Sequence, residues 1–132
     1  MSENKNCPLC SLRDVYIDDN GKVIENEFAY VIKDTNPVNP GHCLIVPRRH
    51  VPEFFDTTLE ERMAFMELID EMKAIIDKKH QPDGYNIGVN IGKAAGQSVP
   101  HIHIHMMPRY FGDVENPRGG VRGVIPSRQK YE

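Results

Sequence analysis

The chain has 132 residues, the size of one domain, and its 39% hydrophobic and 27% charged content is that of an ordinary globular protein. No apolar run approaches the roughly 18 residues that span a bilayer, which excludes a transmembrane protein. Sixteen Lys and Arg against nineteen Asp and Glu give a net charge of -3, so the global field repels a polyanion and a general nucleic-acid binder is excluded as well.

Met1 to Asn6 is polar, without the apolar stretch of a secretory signal, and the expected compartment is the cytoplasm. Three cysteines, Cys7, Cys10 and Cys43, are an odd number and argue for thiols rather than a disulfide framework. Cys43 lies in an apolar run and reads as a small core residue. Cys7-Pro8-Leu9-Cys10 is half of a tetrahedral zinc site, its spacing letting both thiolates point at one ion. Next, a run around Val23 and Ile24 and another from Phe28 to Ile32 follow the turn signal Asp19-Asn20-Gly21 and predict a hairpin. The two prolines and the glycine of Asn36–Gly41 predict a rigid connection, and His42 to Pro47 a buried strand.

Thr57-Thr58-Leu59-Glu60 has a capping-box pattern, with Thr57 as N-cap and Glu60 three residues on. Behind it Leu59, Met63, Met66, Ile69, Met72 and Ile76 recur every three or four positions, predicting one long helix to about Lys79 with this stripe as its core face. Phe65, Leu68 and Ile75 widen the stripe, toward either a partner subunit or a broader core. Tyr85 to Ile91 alternates as a half-buried strand, with Asn86, Gly88 and Asn90 on its polar side. A polar, glycine-bearing loop over Gly92–Pro100 leads into His101-Ile102-His103-Ile104-His105-Met106-Met107, a second alternating strand. The expected fold is α+β, an antiparallel sheet of about five strands with the long helix on one face.

On such a strand His101, His103 and His105 stand on one face, roughly 6 to 7 Å apart, and Ile102 and Ile104 on the other. A row of imidazoles able to donate protons near pH 7 suits phosphate. A hydrolytic zinc site is the rival, but neighbouring same-face residues of one straight strand diverge rather than converge on an ion.

The motif His101–Met107 resembles the signature of the histidine triad (HIT) superfamily of nucleotidyl hydrolases and transferases. Asn39–Pro47 is similar to the family's proline-glycine-histidine strand, and Gly96-Gln97-Ser98-Val99 to its phosphate loop. Met107–Asp113 resembles the fragile-histidine-triad branch, which cleaves dinucleoside polyphosphates. The resemblance implies a hydrolase or nucleotidyl transferase in which His103 attacks the α-phosphorus and forms a covalent nucleotidyl-histidine. It implies that His105 bonds a phosphate oxygen and that His42 and His101 support the triad. It further implies nucleotide contacts from Asp34 to ribose, from Asn90, and from the loop donors of Gly96, Gln97, Ser98 and Val99. A nucleoside phosphoramidase with the same nucleophile, or a nucleotide-binding module without turnover, is the alternative.

Some members of the superfamily complete a Cys-x-x-Cys site with two histidines; the matching positions are His50 and His101. The resemblance thus implies a structural Zn²⁺ held by Cys7, Cys10, His50 and His101, no catalytic metal, and a homodimer paired through the long helix and the strand before the triad. Residues 1–113 are expected as the HIT domain with its N-terminal cysteine segment, and 114–132 as a basic tail docked on the domain or on a partner subunit. From Arg109 to Glu132 five basic residues face three acidic ones, and Arg118 and Arg122 are expected at the leaving polyphosphate.

Overall fold

The apolar runs Ala29–Lys33 (β1) and Cys43–Pro47 (β2) pair antiparallel in the computed structural model of the chain, which describes residues 7–10 and 14–131. The connection between them passes between the helix end and the last strand at Gly41. Its φ is +94°, and a Cβ there would lie 3.0 Å from Pro108 Cγ and 3.2 Å from the His80 ring, so the position requires glycine. A helix, α1 (Leu59–His80), leads to β3 (Gly84–Val89), and β4 (Ile104–Arg109) returns between β2 and β3. The sheet order is β1-β2-β4-β3 with every neighbour antiparallel.

Four strands form where about five were expected. The segment around Val23 and Ile24 makes only isolated bridges, Ile17 to Val23, Glu25 to Tyr30 and Val15 to Ile32. These bridges still close the expected hairpin, the Val31 N–H donating to the Ile24 carbonyl and the Asn26 N–H to the Ala29 carbonyl. Asn26 shapes its turn: Oδ1 accepts from the N–H groups of Phe28 and Ala29, and the amide donates 3.0 Å to the Ala64 carbonyl of α1. The turn is thereby anchored to the helix as well. The triad strand also starts later than its alternation suggests: the Ile102 N–H donates to the Val51 carbonyl, outside the β2 ladder, and β4 begins at Ile104.

The N-cap of α1 is Thr58, not Thr57, and its capping-box partner is Glu61, not Glu60. The Thr57 hydroxyl instead donates to the Phe54 carbonyl and closes the preceding 3-10 turn. Glu61, Phe65, Leu68, Met72 and Ile76 are the buried stripe, while Leu59, Met63 and Met66 of the expected stripe face outward. Both stripes satisfy the helical period, and Glu61 decides between them: it bonds the Thr58 N–H and, from its buried position, the Arg49 guanidinium.

The alternation of the strands sends their side chains into two clusters. Val31, Ile45, Ile104 and Met106 pack under α1, whereas Tyr30, Ile32, Leu44 and Val46 meet Cys7 and Leu9 on the opposite face. His105, paired in register with Leu44 and Gly88, stands on that opposite face. Among the described residues no helix is long and apolar enough to cross a membrane.

Candidate active site and metal centre

His42 precedes β2, and its Nδ1 accepts from the Val38 N–H at 3.1 Å, so its ring proton sits on Nε2. His42 Nε2 lies 3.0 Å from His105 Nδ1 and points its proton at it, with Asp34 Oδ2 3.3 Å from His42 Nε2 and 3.9 Å from His105 Nδ1. His105 therefore accepts on Nδ1 and carries its own proton on Nε2. Burial, with His103 and His42 adding to it, holds His105 below the ordinary imidazole range; burial lowers His42 too, against the pull of Asp34. Asp34 Oδ1 accepts from the Asn36 N–H, which fixes its carboxylate against the pair.

His103 lies 2.9 Å through Nδ1 from the His101 carbonyl, which only accepts, so Nδ1 donates and the Nε2 lone pair is bare. Its ring stands 5.2 Å from that of His105. The triad segment thus offers a bare ring nitrogen just before β4 and, two residues on within the strand, a proton donor.

His101 does not join this row. It is fully buried, donates from Nε2 to the Pro47 carbonyl at 2.9 Å, and turns Nδ1 toward Cys7 Sγ at 3.4 Å, Cys10 Sγ at 3.3 Å and His50 Nδ1 at 3.2 Å. The four donor atoms lie within 4.8 Å of one another. Tetrahedral zinc, with bonds of about 2.1 Å to nitrogen and 2.3 Å to sulfur, sets such edges at roughly 3.3 to 3.8 Å. The Cys₂His₂ set therefore fits zinc. Asp34, His42 and His105 also cluster, but the hydrogen bond between the two rings accounts for their spacing.

The loop before the triad is held by Gln97, whose Oε1 accepts from the Gly92 N–H and whose amide donates to the Val99 and Pro52 carbonyls. Gln97 is thus placed as a staple of the loop. The N–H groups of Gly96 and Gln97 bond Lys93 and Gly92 inside the loop, whereas no hydrogen bond among the described residues engages those of Ser98 and Val99. Asn90 lies just past β3, in the same cleft wall as His105.

A HIT domain matches residues 18–112. The chain belongs to the HIT family. It is 36% identical over 98 residues to AP-4-A phosphorylase of Mycobacterium tuberculosis, covering 73% of this chain and 50% of that one. To bis(5'-adenosyl)-triphosphatase of Dictyostelium discoideum it is 36% identical over 90 residues, with 68% and 60% of the two chains covered. A zinc-bound histidine triad family protein from Mycobacterium smegmatis superposes with a TM-score of 0.63 at 32% identity, over 82% of this chain and 78% of that one.

In this HIT protein the tail folds back on the sheet through 3-10 turns at Gly120–Val124 and Pro126–Arg128. Arg122 donates to the Arg128 and Gln129 carbonyls, and Arg118 and Arg122 both lie over the Tyr131 ring. Arg122 thus ties the two turns of the tail together, and both guanidinium groups pack on Tyr131. Asn86 was legible as a polar-face residue but not as part of the site; what orients it is Arg109, 23 residues away.

Proposed function

We propose that this HIT protein cleaves dinucleoside polyphosphates at the α-phosphorus through a nucleotidyl-His103 intermediate. The reading rests on the bare Nε2 of His103, created by the bond from Nδ1 to the His101 carbonyl, and on the relatives named for acting on diadenosine polyphosphates. His103 Nε2 attacks the α-phosphorus, a P–N bond forms, and the bond to the bridging oxygen breaks in line, releasing a nucleoside polyphosphate. His105 Nε2–H donates to a non-bridging oxygen as charge builds there, with the N–H groups of Ser98 and Val99 and the Ser98 hydroxyl beside it. Asp34 takes the ribose hydroxyls and Asn90 lies near the phosphates. Water then attacks phosphorus, the P–N bond breaks, and a nucleoside monophosphate leaves with the histidine restored.

Cys7, Cys10, His50 and His101 would hold a zinc ion that supplies a structural cross-link between the N-terminal segment and the triad. A reduced thiol pair of this kind suits the cytoplasm. Residues 1–113 form the catalytic domain and the tail from 114 its cover. The exposed Leu59, Met63 and Met66 of α1, with the outer edge of β3, are the surface for a homodimer; Phe65 and Leu68, expected there, belong to the core. The test is an acid quench during turnover of diadenosine tetraphosphate. The expected result is an acid-labile adenylyl group mapped to His103 by mass spectrometry, with turnover abolished in His103→Asn. Turnover that persists in that variant overturns the mechanism.

A further inference from the structure

A cleft of about 640 Å³ opens on the sheet face beyond His105, within the size range of small-molecule sites. Its floor is β3 and β4, where Gly88 stands opposite His105 and a Cβ on it would meet nothing within 4 Å. Its far wall is the folded tail, which presents Val121 and Val124, 60% and 77% exposed. Met107 and Val38 add apolar surface. His103 does not line this space. The cleft therefore meets the triad at the proton donor, with Asn90 on the same wall, rather than at the nucleophile.

Asn86 supplies a directed polar group. Arg109 Nη1 donates to Asn86 Oδ1, and since a guanidinium only donates, the amide Nδ2 is turned the other way, toward Gly120. A Cβ at 120 would touch that Nδ2 at 3.5 Å, an ordinary contact, so the donor lies beside the tail backbone at the wall of the cleft. Arg109 is itself fixed by paired bonds to Asp113, at 2.7 and 2.8 Å, and Asn39 donates to the same carboxylate. The Arg109 and Asp113 pair holds the Asp113 carboxyl well below the usual carboxylate range. The arginine is neutralised in place and acts as a positioning residue for Asn86.

We propose that this cleft is the subsite for the leaving nucleotide of the substrate, with Val121 and Val124 against its base and Asn86 Nδ2 donating to its ribose-phosphate oxygens. The proposal rests on the covalent mechanism above, since an in-line displacement sends the leaving oxygen away from His103 and past His105. It assigns the tail a role through apolar side chains rather than through its arginines. A second nucleoside is the occupant that matches one apolar wall, one directed amide and direct continuity with the triad. No Lys or Arg lines the cleft to meet a bare polyphosphate.

The experiment compares kcat/KM on diadenosine tetraphosphate with kcat/KM on the p-nitrophenyl ester of AMP, whose leaving group carries neither nucleoside nor phosphate. Val121→Glu, Val124→Glu and Asn86→Asp should each lower the ratio of the first to the second by about tenfold or more, and Val124→Leu should keep it. The two valine positions are exposed, so the substitutions leave the core intact. A ratio within about twofold of wild type in all three variants, whether both activities fall or neither does, overturns the subsite. A wild-type enzyme that forms the His103 adduct with the ester while the ratio stays flat separates this outcome from failure of the mechanism, in which no adduct forms with either substrate.

Discussion

In the proposed mechanism His42 acts through His105, both of its ring nitrogens being engaged within the protein. Because Val38 occupies its Nδ1, its proton is directed at His105, and that bond fixes which nitrogen of His105 carries the proton offered to phosphate. Removing it in His42→Ala should cost on the order of a hundredfold in kcat/KM by leaving His105 free to rotate. The pH profile distinguishes this role from a packing defect. Burial and the neighbouring rings keep His105 neutral below the ordinary value of about 6.5, so the bond from His42, which needs a bare Nδ1 on His105, and its contribution to activity should be lost only at pH values under it. His42→Ala removes one of the lowering influences and admits water, and the acid limb should move to higher pH; a lower kcat with an unmoved limb would contradict the assignment. Stability carries the same sign. Folded His42 and His105 bind protons less readily than the unfolded chain does, so in the window below about 6.5 stability decreases as pH falls, which urea melts at pH 7.5 and 5.5 measure.

The start of α1 depends on one carboxylate with two duties. Glu61 closes the capping box with Thr58 and pairs with Arg49 at 2.9 Å on the strand-to-helix connection that carries His50. Burial opposes its charge, but the bonds from Arg49 and Thr58 outweigh it and hold the carboxyl below its ordinary range. Glu61→Ala should cost about 2 kcal/mol in urea unfolding, the loss of a cap plus a stranded partner. The stability that Glu61 contributes is present above the ordinary carboxylate value and disappears as pH falls through its folded one. A zinc ion held by Cys7, Cys10, His50 and His101, as proposed, would be the corresponding device for the segments 7–10 and 48–52, which reach the triad through these residues. Purified protein should contain about one zinc per chain, and chelation or Cys10→Ser should lower the melting temperature. A metal-free preparation with undiminished melting temperature would remove the centre from the account.

At the scale of the whole molecule, Leu59, Met63 and Met66 leave an apolar strip on α1, between 53% and 70% exposed, and β3 has no strand on its outer side among the described residues. These residues, at i, i+4 and i+7, share one helix face, and such a strip fits a twofold contact. Light scattering at micromolar concentration should give the mass of two chains, and Met63→Glu with Met66→Glu should give that of one; a monomeric wild type overturns the dimer. The features legible in the sequence were those that depend on neighbours a few residues apart. Alternation placed His105 and Ile104 on opposite faces, the 3.6 period announced α1, and Cys-x-x-Cys marked half of the Cys₂His₂ cluster. What depends on distant partners was decided by the tertiary structure. Two helical stripes met the same period, and the buried one was selected by Glu61 reaching Arg49, 12 residues back. The histidine row was divided because Pro47 and the cysteines draw His101 aside while His42 draws His105 the other way. The nitrogen that carries each proton is set by whichever donor or acceptor the fold brings beside it, and local spacing encodes neither the identity nor the direction of that partner.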